Sequence, residues 1–396
     1  MAVQAQEGLA PAKPVFWNDP RFRALIYQVL VLGGVIAFGA YLVNNTIANM
    51  EARGISSGFG FLTKTAGFDI GQTLIEYNAE SPYWRAMVVS IINTLMVSAF
   101  GILLATVLGF LLGVARLSHN WLISRLAAVY IEVVRNLPLL LQIFFWYFAV
   151  LRSVPGPRQS LNAWDAFFLN NRGLYMPRPL FESGFSLVVI GFLAGVVGSF
   201  VLARWAKKRQ MATGEQFPVF KATLGLVFGL PLLAFLVTGL PLSWEYAELK
   251  GFNFAGGMRI QPEFVAMLIA LSMYTAAFIG EIVRAGILAV SHGQTEASYA
   301  LGLRPGLTLR LVVIPQALRV IVPPLTSQYL NLTKNSSLGA AIAYPEIVLV
   351  FAGTVLMQTG QAVEIIGLTM AFYLTVSLLI SLFMNWYNKK IALVER

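Results

Sequence analysis

Eight apolar stretches constrain this chain more than any single residue does. They cover about 23–43, 87–113, 126–150, 185–203, 222–240, 263–289, 311–333 and 363–386. A helix needs roughly 20 apolar residues to cross the hydrocarbon core of a bilayer. Backbone groups inside lipid are satisfied only within helices or closed barrels. The expected fold is therefore an all-α polytopic membrane protein with about eight transmembrane helices. Composition agrees: 57% of the residues are hydrophobic and 12% are charged, against about a quarter charged in a soluble domain. In the seventh stretch Pro315, Pro323 and Pro324 predict a kinked or broken helix, which a membrane tolerates where it packs in protein or lines a cavity.

The net charge of +10 does not point to nucleic acid, because the basic residues sit at the ends of apolar runs and form no stripe with interleaved aromatics. They read as topogenic charge. Arg116, Arg125, Arg204, Lys207, Lys208, Arg209, Arg304, Arg310, Lys389 and Lys390 gather on one side, which places the N- and C-termini in the cytoplasm. Residues 1–22 are polar, contain Pro11, Pro14 and Pro20, and lack the apolar core of a signal peptide; they read as a cytoplasmic tail. The outside loops, about 44–86, 151–184 and 241–262, read as irregular segments with short surface helices.

Several chemistries are excluded. The chain has no cysteine, and its two histidines, His119 and His292, are isolated, so neither disulfides nor a metal centre is expected and no cofactor is called for. No Gly-Lys pair occurs, so there is no phosphate-cradling P-loop. No convergent carboxylate pair supports a membrane-bound enzyme. A self-sufficient secondary transporter would need paired half-repeats with interrupted helices and a coupling-ion site, and these halves are not visible.

The most informative polar segment is the loop 290–310. Thr295 is placed to cap a short helix, with Glu296 in its first turn. Ala297, Ser298 and Ala300 form a thin face, Gly302 supplies a left-handed stop, and Pro305 prevents resumption. Ionisable residues inside the apolar stretches form a second set, since a charge at mid-bilayer costs roughly 2.5–3.5 kcal/mol on insertion scales. Glu281 and Arg284 stand one turn apart, as do Glu132 and Arg135, and each pair is able to meet on one helix face. Their position near the inside ends of their spans favours structural or coupling roles.

The sequence Glu296-Ala297-Ser298 through Gly302, followed by Val312-x-Ile314-Pro315, resembles the "EAA" loop of permease subunits in binding-protein-dependent ABC importers. Asn93-Thr94-Leu95, Gly113-x-x-Arg116-Leu117-Ser118, Arg135-Asn136-x-Pro138-Leu139-Leu140-x-Gln142, Gly280-Glu281-Ile282-Val283-Arg284, Pro323-Pro324 and Leu332-Thr333-Lys334-Asn335-Ser336-Ser337 extend the resemblance to the polar and general L-amino acid branch. The resemblance implies a five-helix permease core with extra helices. It divides the chain into a tail at 1–22, an additional helix and loop at 23–82, the first part of the core at 83–150, loops with an inserted helix pair at 151–262, and the second part of the core at 263–396.

It further implies a multi-pass inner-membrane subunit of a bacterium that does no chemistry. Its partners would be a related permease, a dimeric ATPase, a periplasmic amino-acid-binding protein, the amino acid substrate and the lipid bilayer. Under that reading Thr295, Glu296, Ala297, Ser298, Ala300 and Gly302 couple to the ATPase. Asn331, Lys334, Asn335, Ser336 and Ser337 line the substrate path, with Gln142, Gln328 and Tyr274 as further candidates; hydroxyls, amides and one cation suit the carboxylate of an amino acid.

Overall fold

A computed structural model describes residues 20–391 apart from 53, 55 and 56. Most of the tail assigned to 1–22 falls outside those residues, as do Lys13, Arg53 and Arg396. The described chain is mostly helical. Its long helices are α1 (Pro20–Ala52), α2 (Tyr83–Arg116), α5 (Phe185–Thr213), α8 (Pro262–Leu288), α11 (Ile314–Asn335) and α13 (Ala362–Ile391). Among the described residues seven helical stretches are long and apolar enough to cross a membrane.

The expected span at 126–150 is instead a bent pair, turned by 106° between Trp121–Asn136 and Leu139–Leu151. These are α3 (Trp121–Asn136) and α4 (Leu139–Phe144), the latter running into a π-helical turn over Phe145–Leu151. Pro138 forces the cause. The residue before a proline is driven out of the helical region, and Leu137 is extended at φ −92° and ψ 132°. Asn136 Nδ2 donates to Glu132 O at 2.7 Å. Gln142 Nε2 donates to Val134 O and Leu137 O at 2.9 and 3.0 Å, satisfying carbonyls that the bend strips of helical donors.

The paired prolines act differently from expectation. α11 is continuous through Pro323 and Pro324. The distortion lies upstream, in a π-helical turn over Leu309–Val313 immediately before Ile314 and Pro315, where a widened turn accommodates the donor that proline lacks.

The core is built around α2 and α8. Both are apolar on nearly every face, so their contact depends on small residues that let backbones approach. A Cβ on Gly109 would lie 2.5 Å from Ile279 Cβ, and one on Gly113 would lie 2.6 Å from Val283 Cβ. α11 packs against α8, with Ala317, Ile321, Val322 and Leu325 in the same buried cluster as Ile279 and Val283, and reaches α2 where Tyr329 Oη lies 2.9 Å from Thr106 Oγ1. The inserted pair is α5 with a second helix formed by α6 (Val219–Leu224), a π-helical turn and α7 (Leu230–Val237).

The all-α expectation fails in the loops. Strands β1 (Leu161–Ala163), β2 (Phe167–Asn170), β3 (Gly173–Met176) and β8 (Met258–Ile260) form an antiparallel sheet in the order β1-β2-β3-β8. β4 (Arg178–Phe181) pairs with β5 (Leu242–Glu245), and β6 (Glu248–Lys250) with β7 (Asn253–Ala255). Segments expected to be irregular are thus ordered by pairing across the inserted helices, with Leu174 opposite Ile260 and Phe181 opposite Leu242. Phe254 stacks on both Phe168 and Tyr175 at 4.7 and 5.0 Å, the kind of cross-strand cluster that stabilises short strands.

Candidate functional site

Functional side chains collect at the two ends of α8, which are about 40 Å apart for a helix of this length. Past its last turn comes α9 (His292–Ala300). Ser291 is the N-cap and makes no side-chain capping bond. Thr295 therefore lies inside α9 and not at its cap, and Glu296 lies a turn in, where it meets His292 Nδ1 at 3.0 Å. The intrinsic pairing of positions four apart on a helix accounts for this contact.

Gly302 has φ +74°, and its N–H donates to Tyr299 O at 2.9 Å while Leu303 N donates to Ser298 O at 3.1 Å. A left-handed residue closing on these carbonyls is what terminates the helix. Pro305 does not prevent resumption: it opens α10 (Pro305–Thr308), because proline is preorganised for a first helical turn.

α9 has two faces. Ser298 is buried, and its hydroxyl donates to Gln294 O at 2.7 Å. Glu296, Ala297 and Ala300 are exposed, and Thr295 is half-buried. Sequence reasoning missed the two bulkiest exposed groups, Tyr299 at 49% and Leu301 at 81%. An apolar side chain this open, beside small residues and outside any membrane span, is the anchor type of a protein interface. Its sequence signal was present, a leucine directly before the stop glycine.

Between α9 and the core lies an ion network. Glu281 of α8 accepts from Arg116, in the last turn of α2, and from Arg284 Nη2 at 2.6 Å. Arg116 also stands 4.0 Å from Glu132 of α3. The expected Glu132–Arg135 pair does not form. Arg135 lies instead over the Phe278 ring at 4.9 Å, since a guanidinium is readily held on an aromatic face. Arg116 is the hub that ties α2, α3 and α8, and its sequence signal was read as topogenic charge.

The polar cluster on α11 splits by burial. Ser327, Asn331 and Lys334 are exposed and fall on one helix face at spacings of four and three. Gln328 and Asn335 are half-buried. Ser336 Oγ donates to Thr333 O at 2.7 Å and Ser337 Oγ to Lys334 O at 2.8 Å, so these hydroxyls close local turns. Tyr274 of α8 is half-buried against Phe278, ring centroids 5.0 Å apart. Gln142 serves the α3–α4 bend described above. Lys334 has no ion-pair partner among the described residues.

The segment after α11 is pinned by the Asn93-Thr94 pair of α2. Asn93 Nδ2 donates to Pro345 O at 3.0 Å, Tyr344 Oη donates to Asn93 O at 2.8 Å, and Ile347 N donates to Thr94 Oγ1 at 3.1 Å. Glu346, fully buried, accepts from Val348 N and Leu349 N at 2.8 and 2.7 Å, capping the helix that follows.

The described chain is a bundle of spanning helices with a short, exposed, glycine-stopped helix at one end. The family model for the binding-protein-dependent transport system inner membrane component matches residues 105–392, and the chain belongs to that family. It is 53% identical to the putative amino-acid ABC transporter permease protein YhdX of Escherichia coli K12, covering 96% of each chain. Identity is 51% to the general L-amino acid transport system permease protein AapQ of Rhizobium johnstonii, over 96% of this chain and 94% of that one. It is 44% to the glutamate/glutamine/aspartate/asparagine transport system permease protein BztB of Rhodobacter capsulatus, over 96% of each. The chain is thus a multi-pass permease component whose ATP hydrolysis takes place on a separate subunit.

Proposed function

We propose that this chain is one of two related permease subunits of an amino acid importer, coupled to a dimeric ATPase through α9 and supplied by a binding protein on the opposite side. The amino acid cargo is suggested by relatives that align along nearly the whole chain. Basic residues at the α9 end, Arg304 and Arg310 after it and Arg116 and Arg125 at the neighbouring turn, support a cytoplasmic position for that end and for both termini.

The observation that carries the coupling role is the exposed face of α9, with Leu301 beside Ala297 and Ala300. ATP-driven closure of the ATPase pair would move this helix, and α8, which leads into it, would carry the motion to the core. Leu301→Asp is expected to lower co-purification of the ATPase about tenfold or more, as loss of a central apolar anchor does, with the melting temperature of the permease pair unchanged. Undiminished ATPase recovery with L301D would remove α9 from this role.

The path for substrate runs along the open face of α11. A lysine on a spanning helix is costly against lipid, so Ser327, Asn331 and Lys334 face the second permease or a water-filled passage between the two. Lys334→Met is expected to cut transport about tenfold or more with the complex intact, as loss of a charge-assisted contact to a carboxylate does. Wild-type uptake by a normally assembled K334M complex would sink the assignment.

A further inference from the structure

At the end of α8 remote from α9, a cavity of about 300 Å³ is lined by Asp69, Arg259, Gln261, Glu263, Ala343 and Thr354, among others. Three separate parts of the chain converge there. Asp69 comes from the loop between α1 and α2, Arg259 from β8 of the inserted sheet, and Gln261 and Glu263 from the start of α8. Asp69 precedes the residues matched by the family model.

The charges in this cavity are held apart. No ion pair joins Arg259 to Asp69 or Glu263 among the described residues, although all three line one space. Arg259 and Glu263 are braced from behind. Arg259 Nε donates to Arg172 O at 2.8 Å, and its guanidinium lies 6.0 Å from the Tyr175 ring, while its terminal nitrogens make no hydrogen bond among the described residues. Glu263 Oε1 accepts from Tyr147 Oη at 2.7 Å, and Arg152 Nη2 donates to the same phenol at 2.8 Å, while the second carboxylate oxygen accepts no hydrogen bond among the described residues. Asp69 accepts no hydrogen bond among the described residues. Its neighbour Tyr77 stays a donor, to Phe68 O at 2.9 Å, since burial and the Asp69 carboxylate push its phenol up to about 12.

A cation and a carboxylate held from behind, with the exposed carboxylate of Asp69 beside them, line one small cavity without neutralising one another and are complementary to a ligand carrying both charges. We infer that this cavity is an entry subsite for zwitterionic α-amino acids, with the ligand carboxylate on Arg259 and its ammonium on Asp69 and Glu263. The inference rests on the amino acid reading above and gives the added loop and the inserted sheet a part in substrate handling. The rest of the wall carries no charge, and its polar side chains are Gln261 and Thr354 alone, so the subsite reads mainly the backbone charges of its ligand. It therefore accepts amino acids with different side chains, and it binds weakly so that the ligand moves on.

The test uses the absence of cysteine from this chain. Thr354→Cys, in the complete importer held in nanodiscs without its binding protein, is alkylated with N-ethylmaleimide, and its modified peptide is followed by mass. L-Alanine at four times its dissociation constant is expected to slow alkylation about fivefold by occupancy. Propionate and ethylamine, each carrying one of the two charges, are expected to protect poorly at that concentration. Adding Arg259→Met or Asp69→Asn to T354C is expected to abolish protection, while adding K334M leaves it intact. Full protection in both R259M and D69N, or equal protection by propionate or ethylamine, overturns the subsite. Failure of the wild-type complex to take up amino acids with ATP strikes the importer reading instead, and the alkylation result still decides the subsite.

Discussion

The α2–α8 contact and the inserted α5–α7 hairpin are both pairs of apolar helices, yet they are built for different neighbours. In the α2–α8 pair glycine recesses meet side chains from the facing helix, and Met267, Leu271 and Ile279 are fully buried. In the hairpin the close approach is made at Gly191 and Gly195 against the backbone near Leu226 and Leu230, and the outer faces remain open, with Phe200, Val201, Phe228 and Leu233 exposed. Apolarity alone does not separate the two cases, because lipid is as apolar as a protein core. What separates them is whether other helices cover the remaining faces. α11 and α3 cover α8, and Arg116, Glu281 and Arg284 cross-link its C-terminal end. The hairpin is a self-contained unit joined to the rest through its β4–β5 neck.

Gly113→Val should have the largest effect, since a Cβ there already stands 2.7 Å from Gly280 O. A loss of about 3 kcal/mol or more is expected from overpacking, seen as disappearance of the monodisperse species in size-exclusion chromatography. Glu281→Gln should cost less, about 1–2 kcal/mol after allowance for the partial exposure of all three partners, read as a lower melting temperature. Adding Arg284→Gln should restore part of that loss, because the cation left without a partner is removed, while Arg116 keeps Glu132. The smallest effect is expected from replacing residues 182–241 by an Asn-Gly turn. Phe181 and Leu242 are already opposite one another, the geometry a two-residue turn connects. The shortened permease should assemble with a melting temperature within a few degrees of wild type. A collapse as deep as that of G113V would erase the distinction between core and hairpin.

Much of the fold was legible because its causes are local. Each span needs only length and apolarity, and the Gly302 stop needs only a left-handed residue where the helix must close. Errors arose where a local rule met a distant partner. Thr295 is a good capping residue, but α9 begins three residues earlier, at His292. Pro323 and Pro324 are helix breakers by chemistry, yet α11 is continuous through them, within a bundle where Val322 and Leu325 are buried. Within the polar cluster at 331–337, only the burial pattern separates Asn331 and Lys334 from Ser336 and Ser337, whose hydroxyls serve the backbone.

The amino-acid order by itself determined that this chain crosses a membrane many times, where a left-handed glycine ends its short polar helix, and that it carries no nucleotide-binding loop. These follow from hydrophobic length, backbone φ preference and the presence or absence of a contiguous motif. Tertiary structure alone decided that Glu281 is shared by Arg116 and Arg284, that Arg135 rests on Phe278, and that strands on either side of the inserted helices form one sheet. It alone brought Asp69, Arg259 and Glu263 around one cavity. Such choices are made by three-dimensional neighbours competing for the same group, and sequence spacing does not record which competitor arrives closer.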